Sequence, residues 1–400
     1  MKKIIAITLA LVLTLSMTTA CGKKGNGDGT TPDAEVQEPT PTPRLYFPDP
    51  FTGWEKTNEY PDGQRALAVM VNNISACRPQ RGLSDASILY ESKVEGGITR
   101  FMALFQDYKK INDIGPVRSA RDQFFRLILP YQPLYAHIGR SGITQTYIDD
   151  NNYGNLNLDG NDTNFIYRDK NRINQGYSVE HTAYTNAELI QAAIDKRGFD
   201  MNRDYNSPLL NFVPYDENGG VREMNGDKAD SVTVVHSETY RTYFDYDAAT
   251  SKYMMSQYSG TLHARHKTVD ENNNQQLGFE NLFIMFADIT TYPYPGGNLD
   301  KNGNDKGDPN YQKVDMDNGG IAYYFSHGKV EKVRWFKGPA MERLYFTDMD
   351  ENLLPINCGK SYISFVDLDE FYNFGYTAAD EAPIEETIDT SKVTEKEIGE

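Results

Sequence analysis

Between residues 60 and 200, short apolar runs of strand length alternate with segments of helical periodicity. In the clearest helical segment Leu189, Ile190, Ala193 and Ile194 recur at helical spacing, and Gly198 follows as a typical terminator. Strands that alternate with helices predict a mixed α/β layer. The predicted strands are Ala66–Val71, Ser87–Tyr90, Thr99–Gln106 and Leu134–Ile138, and the predicted helices are Asp122–Leu129 and Asn186–Lys196.

From about Ser231 onward, short strand-like segments follow one another with turn residues between them. They predict a mostly antiparallel β region. The fold class is therefore predicted to be α+β, with an N-terminal mixed α/β domain at 60–200, a connector of loop composition at 201–230 and a β domain at 231–376. The predicted strands are Val232–Val235, Tyr240–Tyr246, Tyr253–Tyr258, Leu282–Ile289, Ile321–Phe325, Val330–Phe336, Arg343–Phe346 and Tyr362–Val366.

The first 20 residues predict a secretory signal peptide. Two lysines precede the apolar run Ile4–Leu15, which is too short to span a bilayer, and small residues lead directly to Cys21. This arrangement resembles the lipobox of bacterial lipoproteins, which implies a lipid on Cys21 and anchoring on the outer face of the cell membrane. Thr18 stands where that motif usually has Leu, so ordinary signal cleavage remains an alternative.

Composition also predicts unstructured segments at both ends of the mature chain. Residues 21–59 are rich in Gly, Thr and Pro near their start and are predicted to form a flexible linker. Residues 377–400 are acidic and are predicted to form a disordered tail. The remaining cysteines, Cys77 and Cys358, could pair across the fold, but two free thiols are favoured because two cysteines do not make a disulfide framework.

Positive charge is concentrated in one part of an otherwise acidic chain. The net charge of the 400 residues is −17, which disfavours nucleic-acid binding, yet residues 65–140 carry eleven Lys or Arg against six acidic residues. Arginine suits bidentate recognition of carboxylate or phosphate, and a helix start adds positive potential. Arg118 and Arg121, just before the predicted helix at Asp122, are the first candidates for an anion site. Further candidates are Arg100, Arg78 and Arg81.

A structural alternative exists for the same arginines. Glu91 and Glu95 lie in the same stretch of sequence and could neutralise Arg100 and Arg118 within an internal network. The two hypotheses can coexist, because a carboxylate that holds one arginine can leave its neighbour free for a ligand.

The chain contains several long motifs, namely Arg78–Ala86, Tyr90–Phe101, Ile114–Arg121, Leu158–Gly160, His181–Thr185, Gly328–Trp335 and Pro355–Val366. These motifs resemble the YerB-like family of Gram-positive lipoproteins. The resemblance covers most of residues 60–367 and implies a two-part extracytoplasmic region of uncharacterised function. Asp159 and His181 lie in these motifs and, with Glu91 and Glu95, are candidate supporting residues of the site. Glu180 stands where the family often has Pro, and residues 296–318 look like an insertion.

Two further patterns contain side chains of the types that bind metal ions. His263 and His266 would face opposite sides of a strand and have no evident further ligands nearby. The loop 300–308 has alternating oxygen-bearing side chains but lacks the glycine and glutamate of an EF-hand, so a solvated loop is favoured over a looser calcium site. No metal and no cofactor are predicted.

The function predicted from these features is that of a non-enzymatic envelope module. It would bind peptidoglycan, another anionic wall polymer or a wall-synthesis protein through its α/β half, and reach the membrane through the lipid on Cys21. One alternative is an enzyme that acts on phosphate-linked envelope glycans. Another is a scaffold whose β half docks a second membrane protein.

The lipid anchor makes a direct prediction. Cys21→Ala removes the thiol that would be acylated, so the variant should appear in the medium or remain unprocessed. Membrane fractionation and metabolic labelling with palmitate measure this. A variant that stays in the membrane fraction with unchanged label would show that Cys21 is not lipidated.

Overall fold

The computed structural model describes residues 46–57, 59–259, 263–294, 302, 304–339 and 341–378. The predicted signal peptide, Cys21, the linker up to residue 45 and the tail from residue 379 lie outside the described residues. No helix in the described ranges is long and apolar enough to cross a membrane.

The elements up to residue 200 follow the predicted alternation closely. Each predicted strand and helix is present with its ends shifted by a few residues at most. They are β1 (Leu67–Asn72), β2 (Ile88–Lys93), β3 (Thr99–Phe105), β4 (Asp113–Ile114), α1 (Asp122–Ile128), β5 (Leu134–His137), α2 (Gly142–Asp150), β6 (Asn157–Asp159), β7 (Tyr167–Arg168), α3 (Lys170–Asn174), β8 (Ala183–Asn186) and α4 (Ala187–Arg197).

In the described ranges after residue 200, the elements are strands apart from one short 3-10 helix, Leu368–Asn373. They are β9 (Asp227–Lys228), β10 (Ser231–Ser237), β11 (Tyr240–Asp247), β12 (Lys252–Ser259), β13 (Ala264–Lys267), β14 (Val269–Asp270), β15 (Gln275–Gln276), β16 (Gly278–Phe279), β17 (Asn281–Ala287), β18 (Ile289–Thr291), β19 (Gln312–Val314), β20 (Gly320–Ser326), β21 (Lys329–Lys337), β22 (Leu344–Thr347), β23 (Ser361–Asp367) and β24 (Gly375–Thr377).

One large sheet contains strands from both halves of the chain. Its order is β22-β21-β20-β17-β23-β2-β3-β1-β5-β6, and β9 pairs with β21. The halves meet where β2 and β23 run parallel, with Ile88 opposite Ser361 and Ser92 opposite Phe365. The α+β class is confirmed, and the segments predicted as separate domains contribute strands to one sheet.

Both faces of the large sheet are buried. Along β1, Ala68 and Met70 face a core that includes Phe124 and Phe125 of α1. The alternate residues Leu67, Val69 and Val71 face the opposite core, which includes α4 and the second sheet. That second sheet has the antiparallel order β13-β12-β11-β10-β24, and β16 pairs with β12. The near-continuous apolar sequence of β1 follows from this burial on both faces.

Part of the predicted linker and connector belongs to the folded body. Phe51 is fully buried, and the thiol of Cys358 donates to the carbonyl of Gly53 at 3.1 Å. In the connector, Leu209, Leu210 and Met224 are buried. The prediction of a linker through residue 59 is therefore wrong for residues 46–57, because a few well-placed apolar residues anchor a segment whose average composition is that of a loop.

The turn between β14 and β15 holds the Arg78–Ala86 motif of the other half. One carboxylate oxygen of Asp270 accepts the backbone N–H of Gly82 at 3.0 Å. The other accepts the N–H and the hydroxyl of Ser84 at 2.9 and 2.7 Å. Glu271 then forms an ion pair with Arg81 at 2.7 Å. This motif therefore fastens the two halves together.

The Asp270 contacts predict a loss of stability on substitution. Asp270→Asn replaces one acceptor oxygen with a donor, which should lower the free energy of unfolding by about 1–3 kcal/mol, as measured by urea denaturation. Asp150→Asn, at the exposed end of α2, is the matched control and should change it by less than about 0.5 kcal/mol. Equal effects of the two substitutions would contradict the assigned role.

Candidate functional site

A segment of the chain separates two parallel strands at their carboxyl ends. β1, β5 and β6 run parallel. Beyond Val69 the segment that contains Arg118 lies between β1 and β5. The N–H of Arg118 donates to the carbonyl of Met70 at 2.9 Å, and the carbonyl of Arg118 accepts the N–H of Ile138 at 3.1 Å. Ala120 then donates to Gly139 at 3.0 Å. Crevices outside the carboxyl ends of parallel strands are common ligand sites.

Glu95 forms ion pairs with two of the predicted anion-binding arginines. Its carboxylate accepts from Arg100 at 2.6 Å and from Nε of Arg121 at 2.8 Å, with a further contact to Nη2 of Arg121. Burial alone would raise the pKa of Glu95, but Arg121 and Arg100 outweigh it and lower this pKa to about 2. The predicted internal network therefore exists, and Arg121 is its member where Arg118 was expected.

Crowding of positive charge accompanies this network. Burial and the neighbouring guanidinium of Arg121 lower the pKa of Arg100 to about 9. Arg100 also donates to the carbonyl of Ser119 at 2.7 Å, and the ring of Tyr311 lies 4.9 Å from the guanidinium of Arg121. Arg100 and Arg121 are therefore structural cations that raise the positive potential beside Arg118.

Arg118 has a different environment. The carboxylate of Glu180 lies 3.9 Å from its Nη2, beyond hydrogen-bond distance, and 26% of its side chain is exposed. Within the described part of the chain, Nε of Arg118 is buried without a hydrogen-bond partner. The charge of Arg118 also acts on its neighbours, because desolvation and this charge lower the pKa of Arg168. The buried Nε atoms of Arg78 and Arg100 also lack partners, but both guanidinium groups donate through their other nitrogens to internal acceptors. Among the five candidate arginines, Arg118 is therefore the one whose side chain has no acceptor within hydrogen-bond distance among the described residues.

Arg78 and Arg81 have internal acceptors. Arg78 donates to the carbonyls of Asn73 and Tyr258 at 2.9 and 2.8 Å. Arg81 is paired with Asp169 at 2.8 Å and Glu271 at 2.7 Å, and its pKa is raised because these acids outweigh its burial. The acids that neutralise Arg81 at hydrogen-bond distance lie outside residues 65–140, which explains how this window can hold more cations than acids.

Two predicted supporting residues, Glu91 and His181, also have defined places. Glu91 is buried and accepts from Asn73 and Thr99 on one oxygen. Nδ1 of His181 lies 3.0 Å from the amide of Asn72 at the end of β1. Burial lowers the pKa of His181 against the opposing charge of Glu180, and the charge of Arg118 lowers it further.

Asp159, the last residue of β6, organises the next part of the same edge. One of its oxygens accepts the N–H groups of Gly139 and Asn161 at 2.9 and 3.0 Å, and the other contacts Nη1 of Arg140. Arg140 belongs to the basic window of residues 65–140 but was not among the predicted anion-binding arginines. Its position two residues after the predicted buried strand Leu134–Ile138 could have indicated that it lies at this edge.

The start of α1 contributes less than expected. The helix begins at Asp122 as predicted, but it has only seven residues, and no side chain caps it. The carboxylate of Asp122 already occupies its first turn and accepts from the hydroxyl of Tyr292 at 2.7 Å. The helix end therefore offers little positive potential for an external anion.

The remaining candidate groups do not join this site. Cys77 and Cys358 are both buried and free. The described ranges contain no cluster of three or more potential metal-binding side chains. Residues 300, 301 and 303 of the proposed calcium loop lie outside the described residues.

The fold and this edge define an α+β protein with a split sheet and a group of arginines at the carboxyl ends of its parallel strands. Family models described as the N-terminal and C-terminal domains of a protein of unknown function (DUF3048) match residues 51–200 and 232–363. The chain belongs to this YerB-like family.

A named relative and a solved structure agree with this. The chain is 28% identical over 326 residues to the Bacillus subtilis (strain 168) protein described as "Putative lipoprotein YerB". The aligned region covers 80% of this chain and 86% of the relative. The crystal structure of YerB protein from Bacillus subtilis is similar with a TM-score of 0.64 and 26% identity, over 81% of this chain and 98% of that one.

The Glu95 network predicts a pH-dependent stability. Because the pKa of Glu95 is lowered on folding to about 2, its contribution is present above its unfolded pKa and is lost as the pH falls towards 2. Glu95→Gln should lower the free energy of unfolding by roughly 3 kcal/mol at neutral pH, and by less in acid. Urea denaturation at pH 7 and at about pH 3 measures both values.

Glu238→Gln is the control for this experiment, because Glu238 is exposed in the turn after β10. It should leave stability nearly unchanged at either pH. A Glu95→Gln deficit that does not shrink in acid would show that the lost stability does not come from the ionised carboxylate.

Proposed function

We propose that this protein is a lipid-anchored extracytoplasmic module that binds a phosphate-bearing or carboxylate-bearing component of the cell envelope at Arg118. The observation that carries the proposal is the contrast between Arg118 and the other four candidate arginines. Their guanidinium groups donate to internal carboxylates or carbonyls, whereas the carboxylate of Glu180 stays 3.9 Å from Arg118. An external anion would supply the missing acceptor.

The surroundings of Arg118 favour an anion over a neutral ligand. Arg100 and Arg121 share the single carboxylate of Glu95. The charge of Arg118 helps to lower the pKa of Arg100 and the pKa of Arg168, so these cations lie near it. A positive potential that is not cancelled internally lowers the free energy of an incoming anion. The half-buried position of Arg118 also strengthens each hydrogen bond that it forms.

The backbone at this edge restricts movement of the arginine. Arg118 is hydrogen-bonded through its N–H to β1 and through its carbonyl to the residue after β5. Gly139, with φ +70, brings the adjacent turn close, and its missing Cβ would lie 3.5 Å from the hydroxyl of Ser119. A backbone that is already fixed at Arg118 loses little entropy when the side chain binds a carboxylate or phosphate.

The anchor is supported by separate observations. The sequence before Cys21 has the pattern predicted for a signal peptide, and the relative described above carries a lipoprotein name. A lipid on Cys21 would hold the folded body, which begins by residue 46, in the wall space. There Arg118 would be accessible to wall polymers rich in carboxylate or phosphate.

The test uses purified cell-wall sacculi in a co-sedimentation assay with the mature chain. Arg118→Gln removes the charge and most of the N–H donors but keeps a polar amide, and it should weaken binding about tenfold. Arg197→Gln, an exposed arginine at the end of α4, is the control and should bind like the wild type. Sacculi stripped of phosphate polymers distinguish a phosphate ligand from a carboxylate ligand.

Folding of Arg118→Gln must be shown by an unchanged urea midpoint. A folded variant that sediments with sacculi as well as the wild type would overturn the proposal. Arg121→Gln gives the contrasting expectation, because that guanidinium is held by Glu95 and its loss should reduce stability.

A further inference from the structure

A cavity of about 390 Å³ lies between the two halves, and Arg118 is not among the residues that line it. One wall is the turn Leu83–Ala86 of the N-terminal half. The opposite wall is formed by Lys252 and Met254 of β12 and by the segment 275–279, and Lys360 completes the lining. Small-molecule sites typically have volumes of about 300–1,000 Å³ and often lie between such units.

The floor of this cavity is apolar. Leu83, Leu277 and Phe279 line it and are 2%, 1% and 2% exposed, and Ala86 beside them is fully buried. Met254 adds a flexible, polarisable side chain that adapts to irregular ligands. Such a surface favours the hydrocarbon part of a ligand.

The cavity also presents two lysines. The ammonium of Lys360 donates to the carbonyl of Ser84, and no carboxylate forms an ion pair with it among the described residues. Lys252 lies 3.5 Å from one oxygen of Glu280, whose other oxygen accepts the backbone N–H of Lys360 at 2.8 Å. One carboxylate is thus shared between two lysine positions.

Lys360 lies among charges of both signs. Burial lowers its pKa, the charges of Asp85, Glu280 and Asp270 raise it, and the charge of Lys252 lowers it further. An ammonium held in a poorly solvated place is stabilised by an anion that hydrogen-bonds to it. The apolar floor and the cationic rim therefore favour different parts of one molecule.

We propose that this cavity binds a small amphipathic anion, namely a hydrocarbon chain or ring that ends in a carboxylate. The carboxylate would be held by Lys360 and Lys252, and the hydrocarbon part would lie on Leu83, Leu277 and Phe279. The site is independent of the proposed envelope-binding function of Arg118, since the two share no residue.

Isothermal titration of the mature chain with decanoate, below its micelle concentration, tests the site. Decanoate should bind saturably with one molecule per chain. Decanol, which has the chain without the charge, and acetate, which has the charge without the chain, should each bind at least about tenfold more weakly.

Variants of the two lysines locate the binding. Lys360→Met and Lys252→Met should each weaken decanoate binding about tenfold, whereas Lys196→Met on the exposed face of α4 should not. Lys252 is 37% exposed, so its variant should fold and decides the matter if Lys360→Met does not accumulate.

Three results would overturn this inference: no saturable decanoate binding, decanol binding as tight as decanoate binding, or full affinity in Lys252→Met. Arg118→Gln should bind decanoate like the wild type. Its effect on sacculi therefore reports on the proposed function alone, and failure of one proposal leaves the other to be judged separately.

Discussion

The parallel pairing of β2 with β23 is the contact on which the rest of the architecture depends. It joins strands that are more than 250 residues apart in sequence into one sheet. Glu91, in the middle of this seam, is buried and accepts from Asn73 and Thr99 of one half and from Thr242 and Tyr362 of the other. A buried carboxylate needs all of these donors, so the seam forms only when both halves are in place.

The same requirement governs the arginines of the N-terminal half. A buried guanidinium is tolerated only with acceptors around it, and the structure supplies them from distant parts of the chain: Glu95 for Arg100 and Arg121, and Glu271 for Arg81. Because these other arginines are paired internally, the absence, in the described part of the chain, of a close internal acceptor for the partly exposed Arg118 indicates a binding site. In a surface cluster of lysines, one weakly paired cation would carry no such information.

The elements that were predicted followed from local patterns to within a few residues, because hydrophobic periodicity and helix terminators act over short distances. The helices α2 and α3 and several short strands, among them β4 and β6, were not predicted. The apolar spacing of α4 and the glycine after it were sufficient for that helix. Local patterns failed where burial was decided elsewhere. Phe51 lies in a segment of linker composition, yet it packs against Tyr205, with ring centroids 5.0 Å apart.

By itself, the sequence determined the α+β class, the family, the signal-like N-terminus and the stretch that holds the candidate arginines. Only the tertiary structure decided which candidate arginine lacks an internal acceptor within hydrogen-bond distance in the ranges that the structure describes, since each partner is chosen by position in space. Glu95 lies five residues from Arg100, but its carboxylate also reaches Arg121. Short-range patterns specify helices and strands, whereas charge pairing depends on distances that exist only after the halves have joined.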